Sequence, residues 1–130
     1  MDHIMDEDVL AEAAKELEPG KRQAQFIVTM TTHIPFIPAA PEFRNAGGRF
    51  ARYVSSLRYF DACLKDYYGK LPAGALLVLW GDHGSDVDYP EGFPRNGRQV
   101  PFMVHVKGDA AWAAGFDRMG TVPADGHVYG

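Results

Sequence analysis

At 130 residues, with 13 basic against 17 acidic side chains and a formal net charge of −4, the chain has the size of one ordinary domain. That charge is wrong for a duplex-DNA binder, which needs clustered positive charge to displace counterions, so no nucleic-acid partner is expected. A content of 46% hydrophobic and 12% aromatic residues supplies a core and excludes disorder over the whole length. The one cysteine, Cys63, excludes an internal disulfide and a multi-cysteine zinc site.

In chain order, Asp6, Glu7 and Asp8 suit a helix N-terminus, and Val9, Ala13 and Leu17 recur every four residues. A helix is predicted over 8–18, stopped by Pro19-Gly20. Phe26 to Met30 is a short apolar, β-branched run and predicts a buried strand, after which Pro35, Pro38 and Pro41 forbid regular structure. A second helix is predicted over 50–68. Phe50, Tyr53, Val54, Leu57, Phe60, Leu64 and Tyr67 form its core stripe, with Ser55, Ser56, Lys65 and Asp66 mostly on the other side. Ala75 to Trp80 predicts a central strand, apolar on both faces, yet it is far too short to cross a membrane. A third strand is predicted over 100–106, weakened at its start by Pro101, and a short helix over 110–116. The acidic N-terminus lacks the pattern of a signal peptide, so the chain taken alone is expected in the cytoplasm by default.

Strand, helix, strand predicts a right-handed crossover joining parallel strands at 26–30 and 76–80. Residues just past the C-terminal ends of parallel strands share one edge of a sheet, where open α/β folds bind ligands. His33 follows the first strand, and Asp82 and His83 follow the second, so the three are expected to share a cleft. A carboxylate and an imidazole between glycines can both ligate a divalent metal; the ordinary alternative is a capped turn. His33 can donate to a phosphate or sulfate oxygen, or be a loop histidine satisfied by water or backbone. Thr31 and Thr32 have no base beside them in sequence, and polar bonding at the strand end is their expected role. Arg95 and Arg98 can steer an anion or simply be solvated, Cys63 is expected as a buried inert thiol, and His105 as a packed or surface side chain. His3 and His127, near the termini, are given no role.

Taken together, these segments resemble a known family. FIVTMTTHIPF at 26–36 is similar to a strand followed by T/S-x-H-x-P-[FY] in sulfatase-like proteins of the alkaline phosphatase superfamily, closest to the lipoteichoic acid synthase and phosphoglycerol transferase group. YVSSLRYFD at 53–61 resembles that group's Y-x-x-[SA]-[VIL]-x-Y-x-D helix, LVLWGDHG at 77–84 its second metal motif, and VPFMVHV at 100–106 the strand after it. The segment 6–17 is similar to the D-E-D-x-[FL] helix before the first strand. The resemblance covers about 6–108.

The resemblance implies an α/β fold: part of an alkaline-phosphatase-like three-layer sandwich, with a mainly parallel sheet and flanking helices. It implies one partial domain over 1–130, the C-terminal half of such a unit. It makes Asp82 and His83 metal ligands, with manganese the divalent metal of the complete protein, and His33 the contact to the substrate's phosphate. In such enzymes a threonine nucleophile attacks a phosphate or sulfate ester. The substrate would be such an ester, with a phosphoglycerol lipid among the candidates. The nucleophile and the acidic ligand belong to an N-terminal half that this sequence does not match, as does the family's membrane-spanning segment. The chain alone is therefore expected to be inactive, and a longer family member to be extracytoplasmic and membrane-anchored. The alternative is a non-catalytic module that binds an anion or a partner chain, or a degenerate remnant.

Overall fold

A computed structural model describes residues 5–84, 87 and 100–108. The elements are α1 (Asp6–Lys15), a 3-10 turn (Pro41–Phe43), α2 (Arg49–Lys70), β1 (Leu76–Trp80) and β2 (Phe102–Val106). The helix expected over 110–116, Arg95, Arg98, His3 and His127 lie outside the described residues.

α1 starts and ends earlier than its periodicity predicts. The Asp8 carboxylate accepts from the Met5 backbone N–H at 3.3 Å, half of a capping box that sets the start. Beyond Glu16, Gln23 ties off the exit: its Oε1 accepts from the Glu18 N–H and its Nε2 donates to the Glu16 carbonyl. Gly20 then turns the chain with φ at +81°, a left-handed conformation that suits glycine.

α2 is the spine. Its buried positions are Ser56, Tyr59, Cys63 and Tyr67, and the last three form the apolar core with Leu10 of α1 and Leu71. This corrects the expected stripe: Leu57 is exposed and Ser56 is 0% exposed. The inward face is chosen by contact with α1 and by the ring of Phe43 against Tyr59 at 5.7 Å, not by side-chain hydropathy alone. Burying Ser56 costs little, because its hydroxyl donates to the Tyr53 carbonyl at 2.8 Å.

The sheet is two-stranded and antiparallel among the described residues, with Leu76 opposite Val106 and Trp80 opposite Phe102. Pro101 lies just before the ladder, where its missing N–H is tolerated, and its carbonyl accepts from Gly81 N–H at 3.1 Å. Lys107 fastens β2 to the helix: its ammonium donates to the carbonyls of Tyr68 (2.6 Å), Gly69 (2.8 Å) and Leu71 (2.6 Å) at the C-terminal end of α2. A cation suits that end, where carbonyls lack helical partners.

The strand expected over 26–30 is not formed, and its expected parallel pairing with β1 is not seen. Phe26, Val28 and Met30 are 75%, 62% and 62% exposed, with Ile27 and Thr29 half-buried between them. The alternation is that of a strand, but the backbone joins no ladder. One reason is local: the N–H groups of Met30 and Thr31 are taken by the Asp6 carboxylate. The direction of the segment nonetheless suits a crossover. Gln25 accepts from the Tyr67 hydroxyl at 2.6 Å, and Phe36 packs edge-on to Tyr53 at 5.3 Å, so the segment runs antiparallel to α2.

Candidate functional site

β1 delivers the sharpest motif. A Cβ on Gly81 would lie 3.3 Å from both Pro101 Cδ and Val100 Cβ, so β1 closes tightly on the residues before β2 at this glycine. Asp82 and His83 come next and leave the packed structure, 87% and 68% exposed respectively. Both side chains are thus largely exposed to solvent.

The pair is ordered by its own backbone. Asp82 Oδ1 accepts from His83 N–H at 3.0 Å, and His83 Nδ1 lies 2.9 Å from the Gly84 carbonyl oxygen. A carbonyl only accepts, so Nδ1 carries the hydrogen and Nε2 keeps its lone pair in the neutral ring. Asp82 Oδ2 lies 3.6 Å from that Nε2. The capped turn is formed: Oδ1 serves it, while Oδ2 is the carboxylate oxygen nearer Nε2. Donors bound to one ion at about 2.0–2.2 Å sit roughly 3–4 Å apart, which this spacing fits.

His33 lies in a pair of tight turns. Its N–H donates to the Met30 carbonyl at 2.8 Å, and its own carbonyl accepts from Phe36 N–H at 2.9 Å. The residue is exposed, with Nδ1 2.8 Å from the Ile34 carbonyl, so Nε2 again carries the lone pair in the neutral ring. Phe36 sits in the left-handed region at φ 60° and is held there by burial against Tyr53.

The hydrogen bonds of His33 and of Asp82–His83 are made within their own turns. The ring of Phe26 lies 5.6 Å from that of Trp80, which joins the start of the 26–30 segment, and not its His33 end, to the end of β1. Among the described residues, however, no three His, Cys, Asp or Glu side chains form a group able to hold a metal. The hollow between α1 and α2, lined by Leu10, Tyr59, Cys63 and Tyr67, lies away from the three candidates.

The remaining candidates resolve simply. Cys63 is buried, and desolvation pushes its thiol above the ordinary 9.0, as an inert thiol requires. His105 is exposed, with Nε2 2.9 Å from the Tyr68 hydroxyl. Thr31 bonds through its backbone and not its hydroxyl, whose buried oxygen has no partner among the described residues. Sequence reasoning missed Asp6, which it assigned to the helix start. It is 1% exposed and grips the segment leading to His33. No local signal separates it from Glu7 and Asp8.

Comparison with known proteins gives two findings. The sequence profile of the Sulfatase family matches residues 2–114. The chain is 29% identical over 132 residues to the lipoteichoic acid synthase-like protein YvgJ of Bacillus subtilis (strain 168), covering 81% of this chain and 21% of the relative. The chain thus spans about a fifth of that relative's length. No solved structure matches it. Among the described residues, no helix is long and apolar enough to cross a membrane.

Proposed function

Since the chain belongs to the sulfatase family, we propose that it is the C-terminal half of a divalent-metal-dependent domain that cleaves or transfers a phosphate or sulfate ester. The relation to a lipoteichoic acid synthase-like protein favours phosphoglycerol transfer, with a phosphoglycerol lipid as substrate and manganese as metal. The same relation favours a membrane-anchored, extracytoplasmic setting for the complete protein. The observation that carries the reading is the Asp82–His83 pair at the end of β1, one oxygen and one nitrogen donor 3.6 Å apart.

The donor set suits a divalent cation of intermediate hardness and supplies two of the four or more positions it needs. Asp82 and His83 would hold that ion, whose chemistry is to polarise the ester oxygen and lower the pKa of the attacking group. Asp82 contributes negative charge through Oδ2 while Oδ1 keeps the turn. His83 offers Nε2 because Gly84 holds Nδ1. His33, its Nδ1 engaged by Ile34, presents Nε2 to the transferring group and, when protonated, donates to one of its oxygens. No residue of this chain is assigned as the nucleophile.

A second reading is a non-catalytic anion- or partner-binding module. Manganese titration of the purified chain, followed by the electron paramagnetic resonance of the free ion, separates the two. Weak binding lost in Asp82→Ala supports the half-site, whereas equal binding by both proteins removes it. A chromogenic phosphodiester assay should show no turnover by the chain alone. Turnover that Asp82→Ala abolishes would show that the site is complete and the half-domain reading wrong.

A further inference from the structure

Asp6 opens α1 and is almost wholly buried, a costly place for a carboxylate unless hydrogen bonds replace water. The helix N-terminus favours its charge, but its contacts lie elsewhere. Oδ1 accepts from the backbone N–H of Met30 at 2.8 Å and of Thr31 at 3.0 Å, while Oδ2 has no protein partner among the described residues. The Met30 carbonyl in turn accepts from His33 N–H, and the His33 carbonyl accepts from Phe36 N–H. Phe36 is buried against Tyr53 of α2. The turn carrying His33 is therefore gripped at both ends, by α1 through Asp6 and by α2 through Phe36. The His33 ring itself is exposed and has no packing to orient it. Its direction comes from the turn and from its contact with the Ile34 carbonyl.

We propose that Asp6 is the positioning residue for His33, holding the turn that leaves the His33 ring exposed with its Nδ1 engaged and its Nε2 available. Its functional consequence rests on the reading of His33 as the phosphoryl contact. The conformational claim does not. A carboxylate suits this task because one oxygen can take two neighbouring N–H groups, of which that of Thr31 would otherwise be buried unpaired. The same two bonds draw the 26–31 segment out of any ladder at its C-terminal end, just where a histidine must turn away from the sheet.

The test is NMR of the labelled chain, comparing amide exchange and long-range nitrogen–proton correlations of the His33 ring in wild type, Asp6→Ala and Asp6→Asn. In Asp6→Ala the Met30 and Thr31 amides should exchange roughly tenfold faster or more. The His33 ring should lose its single Nδ1–H tautomer pattern, while amides near Tyr59 and Cys63 hold. Asp6→Asn keeps an acceptor oxygen and should restore both signals, which a merely structural or charge role would not predict. Unchanged exchange and an unchanged ring pattern in Asp6→Ala would overturn the proposal. So would a lost ring pattern in folded Asp6→Asn, which keeps the proposal open to refutation even if Asp6→Ala fails to fold. Titration with inorganic phosphate separates the two claims. A His33 ring that ignores phosphate in wild type, with the Asp6 results as expected, refutes the phosphoryl role and leaves the positioning role standing.

Discussion

Asp82 and His83 divide their atoms between holding their own turn and facing outward, and this makes each replaceable in a telling way. Asp82→Ala removes Oδ2, the atom facing His83 Nε2, together with the charge. In a polypeptide that supplies the remaining ligands, Asp82→Ala should lower metal-dependent phosphodiester turnover by about a hundredfold or more, since ligand loss exceeds the effect of losing an outer-shell partner. His33→Ala should lower kcat/KM less and leave metal affinity unchanged. Steady-state kinetics over a manganese series checks both, and equal losses in metal affinity would undo the division of roles. Gly81 is a quieter determinant. Gly81→Ala places a methyl 3.3 Å from Pro101 and Val100 and should cost about 1 kcal/mol. A shift of the denaturant midpoint would register it, and an unmoved midpoint would mean that the 100–101 segment yields freely.

At the scale of elements, α2 shows why periodicity predicts a helix better than it predicts its inward face. The helix is apolar on more than one side, so its orientation depends on what α1 and the Phe43 turn offer. The face so chosen carries three ionisable groups. Desolvation raises the pKa values of Tyr59, Cys63 and Tyr67 above the ordinary 10.0 and 9.0, at Cys63 against a hydrogen bond that favours the thiolate. All three are neutral in the fold and lose protons more easily when unfolded. Their contribution is complete below the ordinary values and is lost as pH rises through the raised ones. Denaturation midpoints should therefore be insensitive to these groups up to about pH 9 and fall above it. A flat profile to pH 11 would mean that the interior is wet. The same burial should make Cys63 alkylation slow under native conditions and fast in denaturant.

At the scale of the whole molecule, one face of the sheet is uncovered. Leu76, Val78 and Trp80 share it with their cross-strand partners Val106, Val104 and Phe102, and five of these six are 36–70% exposed. Phe26 extends the patch through its contact with Trp80. An antiparallel sheet meant for water on one side alternates apolar with polar residues, and this one does not. Such a surface drives association when nothing covers it. The purified chain should self-associate with rising concentration, and Trp80→Lys with Val78→Lys should suppress this in sedimentation equilibrium. A wild-type chain that stays monomeric throughout would show that the face is satisfied within the chain.

The sequence by itself determined the family, the two helices and the two strands, predicted over 75–80 and 100–106 and formed over 76–80 and 102–106. It also placed Asp82-His83 just past β1. These rest on local patterns: a 3.6-residue repeat, short apolar runs, and motifs carried on contiguous residues. Only the tertiary structure decided which side of α2 is buried and whether 26–30 joins a ladder. A ladder needs a partner backbone, and a buried face needs a neighbouring element, so neither is written in the segment itself. The role of Asp6 has the same origin. Its partners, Met30 and Thr31, are distant in sequence and are reached through backbone N–H groups that every residue but proline possesses, so no pattern of side chains could announce them.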